Sequence, residues 1–371
     1  MSRPCSHSSR SKCRPGDLRL MALRSLGTVA VVTLASVPVR CLFSANAVAS
    51  ELSSMNAPVV GAGVIGLTSA SRLREAGFDA GIVARELPVD TVASSVAGAI
   101  WYPYGSAADA REAAWGRCSL EVFTDSVGAG LPGVVLMDMV DLLAEPGPDP
   151  WWADPARGFR RCGPADLRAG YVDGYVQETV VIDVVPHLWY LAERYVELGG
   201  RIEHQPVDSL HDVIDSDRLV VNCSGVGAGV LAHDERVEPV RGQVVRMGGV
   251  RIDRVTMIHE GPLAYAYVMP HGDEAVLGGT RERGEWDRTP DDAVTEQLIE
   301  KAVLLEPALA HAEVVAVKVG LRPGRDRVRL EHEPVSGTPG IVHNYGHDGN
   351  GWSLSWGCAD EVVRLATRTA G

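Results

Sequence analysis

The chain has 371 residues, which is more than one hydrophobic core usually holds and therefore predicts two domains. Hydrophobic residues make up 46% of it and charged residues 22%, a composition that excludes a disordered protein. The formal net charge of −13 disfavours a nucleic-acid partner, because a phosphate backbone would repel the chain.

The first 54 residues differ in composition from the rest. Residues 1–24 are basic, residues 26–39 form a short apolar run, and an A-x-A pattern follows at 45–49. This order resembles a signal peptide, and the apolar run is too short to span a bilayer. The long basic region and the polar residues within the run favour a disordered leader or an over-called translation start instead. We therefore expect a cytoplasmic protein, or an exported one if residues 1–49 are a genuine signal peptide.

A glycine-rich turn follows the first clear strand. Gly61, Gly63 and Gly66 form a G-x-G-x-x-G pattern between the strand 59–60 and a helix over 67–76. The first glycine permits a tight turn, the second lets the backbone approach a pyrophosphate, and the third lets the helix pack on the strand. A second strand follows over 80–84, and Glu86 then stands 20 residues after Gly66, where an acid binds a ribose hydroxyl. These features predict dinucleotide binding without separating FAD from NAD.

The rest of the chain alternates short apolar runs with turns. Residues 97–104 are apolar and aromatic, which fits a buried crossover or the wall of a pocket for a flat ligand, and residues 146–164 are predicted as a loop. The run 219–225 is a buried strand that ends in small residues, a second place where backbone meets a cofactor. Further strands are predicted at 180–182, 240–247, 264–270, 274–279 and 314–319, and helices at 187–198, 291–306 and 355–369.

Neither the cysteines nor the histidines suggest a metal site. The seven cysteines are an odd number with no C-x-x-C spacing, so we expect reduced and mostly buried thiols. His343 and His347 lack acidic or thiolate neighbours at a useful spacing, and we expect them to be structural.

Several motifs together resemble the D-amino-acid oxidase family, which includes the D-aspartate oxidases. They run in order over about residues 57–369, and the most specific are GLRP followed by arginine and HNYGH followed by a glycine-rich turn. The quoted segments are GAGVIG 61–66, ARELP 84–88, AGAIWYPY 97–104, VVNCSGVGAG 220–229, RGQ 241–243, YVMP 267–270, LGGT 277–280, GLRPGRDRVRLE 320–331 and HNYGHDGNGW 343–352.

The resemblance implies an α/β fold with FAD as cofactor. A Rossmann-like FAD-binding domain, expected at 55–100, 180–235 and 315–371, would interleave with an antiparallel-sheet α+β substrate domain at 101–179 and 236–314. Hydride transfer from the substrate Cα to flavin N5 is the implied chemistry, so we nominate no general acid or base.

The resemblance also implies site residues by position. Arg322 falls on the arginine that clamps the substrate carboxylate, Tyr267 on the tyrosine that contacts the same group, and Gly349 on the carbonyl that takes the amine. Cofactor contacts are implied for Gly61, Gly63, Gly66, Arg85, Glu86, Ala97, Gly98, Val181, Ser224, Asp348, Gly349, Asn350, Gly351, Trp352 and Ser353.

The chain departs from the family pattern at two places. Asp348 stands where a glycine is usual. The segment before Tyr267 is short, so the mobile lid of the animal enzymes is expected to be reduced, with Tyr265 as a candidate for its tyrosine.

These residues predict an enzyme that oxidises neutral D-amino acids with oxygen to 2-oxo acids, ammonia and hydrogen peroxide. The alternative is a D-aspartate or D-glutamate oxidase in which Arg281 binds the side-chain carboxylate, unless Glu282 and Glu285 neutralise it. A rival of another class is a nicotinamide-dependent dehydrogenase or a flavin-binding protein without catalysis. We expect no nucleic-acid or membrane partner, and a homodimer from the general frequency of dimers.

Overall fold

A computed structural model describes residues 57–88, 92–102 and 109–370 of the chain, so the predicted leader at 1–54 lies outside the described residues. The helices are α1 Val64–Glu75, α2 Ala93–Val96, α3 Ala110–Gly128, α4 Val184–Glu197, α5 Ala228–Leu231, α6 Asp292–Leu305 and α7 Gly351–Ala370. The strands are β1 Val59–Val60, β2 Ile82–Ala84, β3 Ala99–Ile100, β4 Val134–Leu143, β5 Arg160–Arg161, β6 Asp173–Ile182, β7 Ile202–His204, β8 Val220–Asn222, β9 Glu238–Gly248, β10 Arg254–Ile258, β11 Tyr267–His271, β12 Glu274–Gly278, β13 Glu282–Arg283, β14 Glu313–Gly324, β15 Arg329–Glu333 and β16 Ile341–Tyr345.

The smaller of two sheets has six strands in the order β15-β16-β8-β1-β2-β7. Every pair from β16 to β7 is parallel, and β15 closes the edge antiparallel to β16. Strands β1, β2 and β8 are buried throughout, as expected for short apolar strands covered on both faces of a parallel sheet. Their carboxyl ends lie at one edge, which is where open α/β sheets bind ligands.

The larger sheet is mostly antiparallel and orders its main strands β13-β9-β12-β11-β10-β4-β6-β3, with β14 paired to β9 and β5 to β6. Strands β4 and β10 are its parallel pair. One buried apolar cluster joins the two sheets: it contains Val59 of β1, Val181 of β6 and Phe123 of α3. The sheets therefore share a core, and the edge of the smaller sheet faces the larger one.

The strand β14 extends the predicted segment 314–319 in both directions and carries the GLRP motif within it. It pairs with β9 along its whole length, so residues 313–324 belong to the larger sheet rather than to the dinucleotide-binding sheet. The predicted division had grouped residues 315–371 with the latter. The apolar pattern of a strand does not show which of two sheets the strand joins, and β14 belongs to the larger sheet although it ends near the smaller one.

Helix α3 and strand β4 were not predicted. The buried positions of α3 are spaced three and four apart, as in any amphipathic helix, but include Glu112, Gly116, Ser119 and Ser126 beside Trp115 and Phe123. Small and polar residues on the buried face erase the hydrophobic periodicity that a sequence reading needs. Within the described ranges, none of the helices is long and apolar enough to cross a bilayer.

Candidate active site

A cavity of about 920 Å³ lies between the carboxyl edge of the smaller sheet and strands β10, β11 and β14 of the larger one. Most of the site residues implied by the sequence line it, although they come from distant parts of the chain. They are Gly61, Gly63, Arg85, Glu86, Ala97, Gly98, Ser224, Tyr267, Arg281, Arg322, Asp348, Gly349, Gly351, Trp352 and Ser353. The cavity is thus long enough to run from the glycine turn to the two side chains expected to hold a carboxylate.

Three implied cofactor residues do not line the cavity. Gly66 lies behind it: a Cβ there would come 2.8 Å from the carbonyl carbon of Gly61, which is the close helix–strand packing expected of a third glycine. Asn350 is buried beside the cavity wall. Val181 is buried within β6, where it pairs with Ile100, and its cofactor contact stays a prediction.

Val207 and Asp208 line the cavity, although the sequence did not single them out. Both follow the carboxyl end of β7, the third strand of the parallel sheet on that side. Sequence reasoning missed β7 because Ile202-Glu203-His204 carries two polar residues in three. Its position after a helix that ends in Gly199-Gly200 was the available signal.

The glycine turn leaves no space for side chains. Gly61 has φ +114°, and a Cβ on it would lie 2.9 Å from the carbonyl carbon of Cys223. A Cβ on Gly63 would lie 3.1 Å from the hydroxyl of Ser94, which also accepts a hydrogen bond from the N–H of Val64 at 3.1 Å. The start of α1 therefore presents bare backbone with its positive dipole end toward the cavity, an arrangement that fits a diphosphate.

The far end of the cavity carries two ion pairs. Arg85 lies 3.3 Å from Asp208, and Glu86 lies 3.2 Å from Arg288, which comes from the loop after β13. Sequence reasoning did not single out Arg288, and nothing in the local sequence around it would have done so. Both pairs are substantially exposed, so they position groups near the expected ribose rather than add much stability.

His347 and Cys223 form a buried part of the wall. Burial lowers the pKa of His347 to about 3, so its imidazole is neutral, and among the residues that the structure describes its Nε2 has no hydrogen-bond partner. A buried nitrogen without a hydrogen-bond partner beside a cavity is suited to a hydrogen bond with a polar atom of a bound ligand. Burial raises the pKa of the Cys223 thiol to about 12.

The two side chains that the resemblance implies for the substrate carboxylate both belong to the larger sheet. Arg322 of β14 donates from Nη1 to the carbonyl of Thr280 at 3.0 Å, and Tyr267 starts β11. Glycines make room for both groups. A Cβ on Gly242 would lie 2.6 Å from Cζ of Arg322, and one on Gly278 would lie 2.6 Å from Cε1 of Tyr267.

The charges around the cavity single out Arg322. Four arginines line it, and three of them face acids: Arg85, Arg288 and Arg281. Within the described part of the chain, no carboxylate lies within ion-pair distance of Arg322. A cation without a protein counter-ion in a cavity is a site for an anionic ligand.

The partner of Arg281 is Asp348, not the two glutamates suggested by the sequence. The Nη1 of Arg281 lies 3.0 Å from Oδ1 of Asp348, and Nη2 contacts Oδ2. Glu282 instead binds Arg241 at 2.9 Å, and Glu285 accepts from the N–H of Asp287. Glu282 follows Arg281 directly in sequence, but it lies on β13, where it pairs with Arg241 of β9.

A buried polar group closes another wall of the cavity. The hydroxyl of Tyr102 donates to Asp141 at 2.7 Å, its ring stacks on His259, and Asp141 is 2% exposed. Burial raises the pKa of Asp141 and also that of Tyr102. Asp141 lies on the unpredicted strand β4, so sequence reasoning could not find this group.

The connection from β10 to β11 covers residues 259–266 and is a compact turn. The N–H of Leu263 donates to the hydroxyl of Tyr171 at 3.0 Å, and the N–H of Ala266 donates to the carbonyl of Leu263 at 2.9 Å. Tyr265 in this turn has φ +65° and is 54% exposed at the cavity mouth. The short connection agrees with the expected reduction of the lid.

Comparison with known proteins gives one consistent family. A family model described as DAO, FAD-dependent oxidoreductase, matches residues 58–365. A D-amino-acid oxidase of Rubrobacter xylanophilus is 43% identical over 311 residues, covering 84% of this chain and 95% of the relative. One from Streptomyces coelicolor is 38% identical (83% and 96% covered), and a D-aspartate oxidase of Homo sapiens is 32% identical (83% and 94% covered). A solved glycine oxidase from Bacillus cereus shares the fold, with a TM-score of 0.71 at 17% identity over 85% of this chain and 98% of that one.

Proposed function

The chain belongs to the D-amino-acid oxidase family of FAD-dependent oxidoreductases, and from that membership we propose that it oxidises neutral D-amino acids to 2-oxo acids, ammonia and hydrogen peroxide. The observation that carries the substrate class is Arg322. It is the cavity arginine that has no acid within ion-pair distance among the described residues, and Tyr267 lines the same cavity. A planar guanidinium and a directed hydroxyl are the groups that bind a carboxylate.

The same residues orient the substrate. Arg322 keeps one N–H on the Thr280 carbonyl, which fixes the guanidinium, and offers its others to the substrate carboxylate. The loop that carries Gly349 supplies a backbone carbonyl for the amine. When the carboxylate and the amine are both held, only one configuration at Cα directs the Cα–H bond toward the reacting face. The site therefore selects one enantiomer.

FAD, when bound, supplies a two-electron acceptor. The residues around the cavity fit this group: bare glycine backbone and the start of α1 for its diphosphate, and the neutral, orphaned His347 nitrogen for a polar edge. None of the residues that line the substrate site need act as a base, because their role is to hold the substrate carboxylate and amine in a fixed orientation. In the overall reaction the amino acid loses two electrons and two protons, the imine is hydrolysed, and oxygen leaves as hydrogen peroxide.

The preference for neutral side chains rests on the pair Arg281–Asp348. The alternative substrate class, D-aspartate and D-glutamate, needs a free cation for the second carboxylate. Arg281 is the residue placed for that task, and Asp348 already neutralises it. A second substrate carboxylate would have to displace the Asp348 carboxylate from Arg281 and would then lie next to that like charge.

The test is peroxide formation by the purified yellow protein on paired D- and L-amino acids, with D-methionine and D-aspartate included. We expect peroxide from D isomers alone and a higher rate with D-methionine. Arg322→Ala should lose at least about 10³-fold in kcat/KM while keeping bound FAD, because a charge-assisted bidentate contact disappears. The control Arg364→Ala removes an arginine from a surface pair on α7. Full activity of Arg322→Ala would overturn the carboxylate role.

A further inference from the structure

The pair between Arg281 and Asp348 joins the two halves of the substrate site. Arg281 directly follows Thr280, whose carbonyl holds the guanidinium of Arg322. Asp348 directly precedes Gly349 in the short 3-10 turn Asp348–Asn350, which the proposed function places at the substrate amine. Both side chains are mostly buried, at 23% and 16% exposure, and both line the cavity. The pair is therefore within reach of the substrate side chain rather than on the outer surface.

We propose that Asp348 determines the side-chain selectivity of the enzyme by holding the Arg281 guanidinium. The inference rests on the proposed function and deepens it, because it names the residue that decides between substrate classes. With Asp348 present, the pair has no net charge. The guanidinium of Arg281 is already bound to Asp348, and the Asp348 carboxylate repels an anionic substrate side chain.

The backbone at Asp348 supports a dedicated role for its side chain. Asp348 has φ +49°, a conformation that glycine adopts without cost and that other residues adopt less readily. Its carboxylate makes contacts from both oxygens to Arg281. The side chain is held by this pair, and a glycine or an asparagine can take the same backbone conformation, so both can be tested without a change of turn.

Substitution of Asp348 and substitution of Arg281 should change the preference for charged substrate side chains in opposite directions. Removing the charge of Asp348 removes the carboxylate that pairs with Arg281 and favours D-aspartate. Removing Arg281 leaves the Asp348 carboxylate facing the cavity and favours D-lysine. A merely structural pair would lower all activities together and would not separate anionic from cationic substrates.

The experiment compares Asp348→Asn, Asp348→Gly, Arg281→Met and the double variant Arg281→Met with Asp348→Asn, all as holoenzymes. The readout is kcat/KM for D-aspartate and for D-lysine, each divided by that for D-methionine in the same variant. We expect the D-aspartate ratio to rise on the order of tenfold or more in both Asp348 variants and the D-lysine ratio to rise similarly in Arg281→Met. The double variant should return both ratios toward those of the wild type. Glu361→Gln, which breaks a surface pair, is the control for loss of one acid.

A binding measurement keeps the test independent of turnover. Malonate and propionate are titrated against each holoenzyme, with the flavin absorbance as the readout. We expect Asp348→Asn to tighten malonate relative to propionate on the order of tenfold. Unchanged ratios and an unchanged malonate preference in both Asp348 variants would overturn the inference. Wild-type protein that binds propionate but oxidises no D-amino acid would overturn the proposed function instead, and the malonate titration would still decide the role of Asp348.

Discussion

Replacing Gly242 with alanine should disable the carboxylate site without replacing any residue that is proposed to contact the substrate. Gly242 lies on β9 beside Arg322 of β14, and an added Cβ would lie 2.5 Å from Nη2 and 2.6 Å from Cζ of that guanidinium. An ordinary contact is at least 3.4 Å, and Nη1 lies closer still than Nη2, so the guanidinium must move by about 1 Å. The neighbour is the far end of a flexible side chain, so the fold can absorb the change.

The expected cost falls on catalysis. A displacement of about 1 Å at a positioning group can lower the rate by about 10²-fold, which corresponds to about 2.7 kcal/mol at 25 °C. Stability should change by less than about 1 kcal/mol, because a glycine-to-alanine change in a strand also restricts the unfolded chain. We therefore expect kcat/KM for D-methionine to fall by about 10²-fold with little change in Tm or in FAD content.

The assay is peroxide formation, with Tm and the flavin spectrum measured on the same samples. Gly128→Ala, at the end of α3, is the matched control, because nothing lies within 4 Å of its added Cβ. If Gly242→Ala kept kcat/KM within about threefold of the wild type, the guanidinium position seen here would not be the one that binds the carboxylate, and the reasoning would fail.

Two further predictions concern the cofactor end and acid stability. Gly66→Ala should yield protein without flavin or with a much lower Tm, because its Cβ would meet the rigid backbone of Gly61; a yellow variant with unchanged Tm would contradict the packing role of this glycine. Burial lowers the pKa of His347 from 6.5 to about 3 in the folded state, so the unfolded chain binds the extra proton and stability falls as the pH drops from 6.5 toward 3. His347→Asn should flatten that slope by up to roughly 1.4 kcal/mol per pH unit, measured by urea unfolding of the apoprotein at about pH 7 and about pH 5, with the exposed His311→Asn as control; an unchanged slope would show that the buried imidazole is not its source.

The sequence predicted those parts of the site that are encoded locally. The turn at Gly61, Gly63 and Gly66 follows from a strand, a glycine pattern and a helix in succession, and the structure has all three. The motif around Arg322 identified a family, and the resemblance carried its role. Each of these signals lies within about a dozen residues of continuous chain, where spacing is directly visible.

The parts that escaped prediction depend on distant residues or on buried polar positions. Asp348 and Arg281 stand 67 positions apart, and no local pattern could show that this acid, rather than Glu282, neutralises the arginine. Helix α3 buries serine and glycine, so its period is invisible in hydrophobicity. Val207 was not singled out, because β7 carries two polar residues in three, although the parallel sheet places the end of β7 at the cavity.

The protonated thiol in the cavity wall bears on the durability of an enzyme that makes an oxidant. Peroxide attacks thiolates rather than thiols, and burial, which raises the pKa of Cys223 to about 12, keeps it protonated at neutral pH. Cys223 is 7% exposed, and its backbone packs against the glycine turn, since a Cβ on Gly61 would lie 2.9 Å from the carbonyl carbon of Cys223. Burial at this position thus protects the cofactor-binding turn from the product formed next to it.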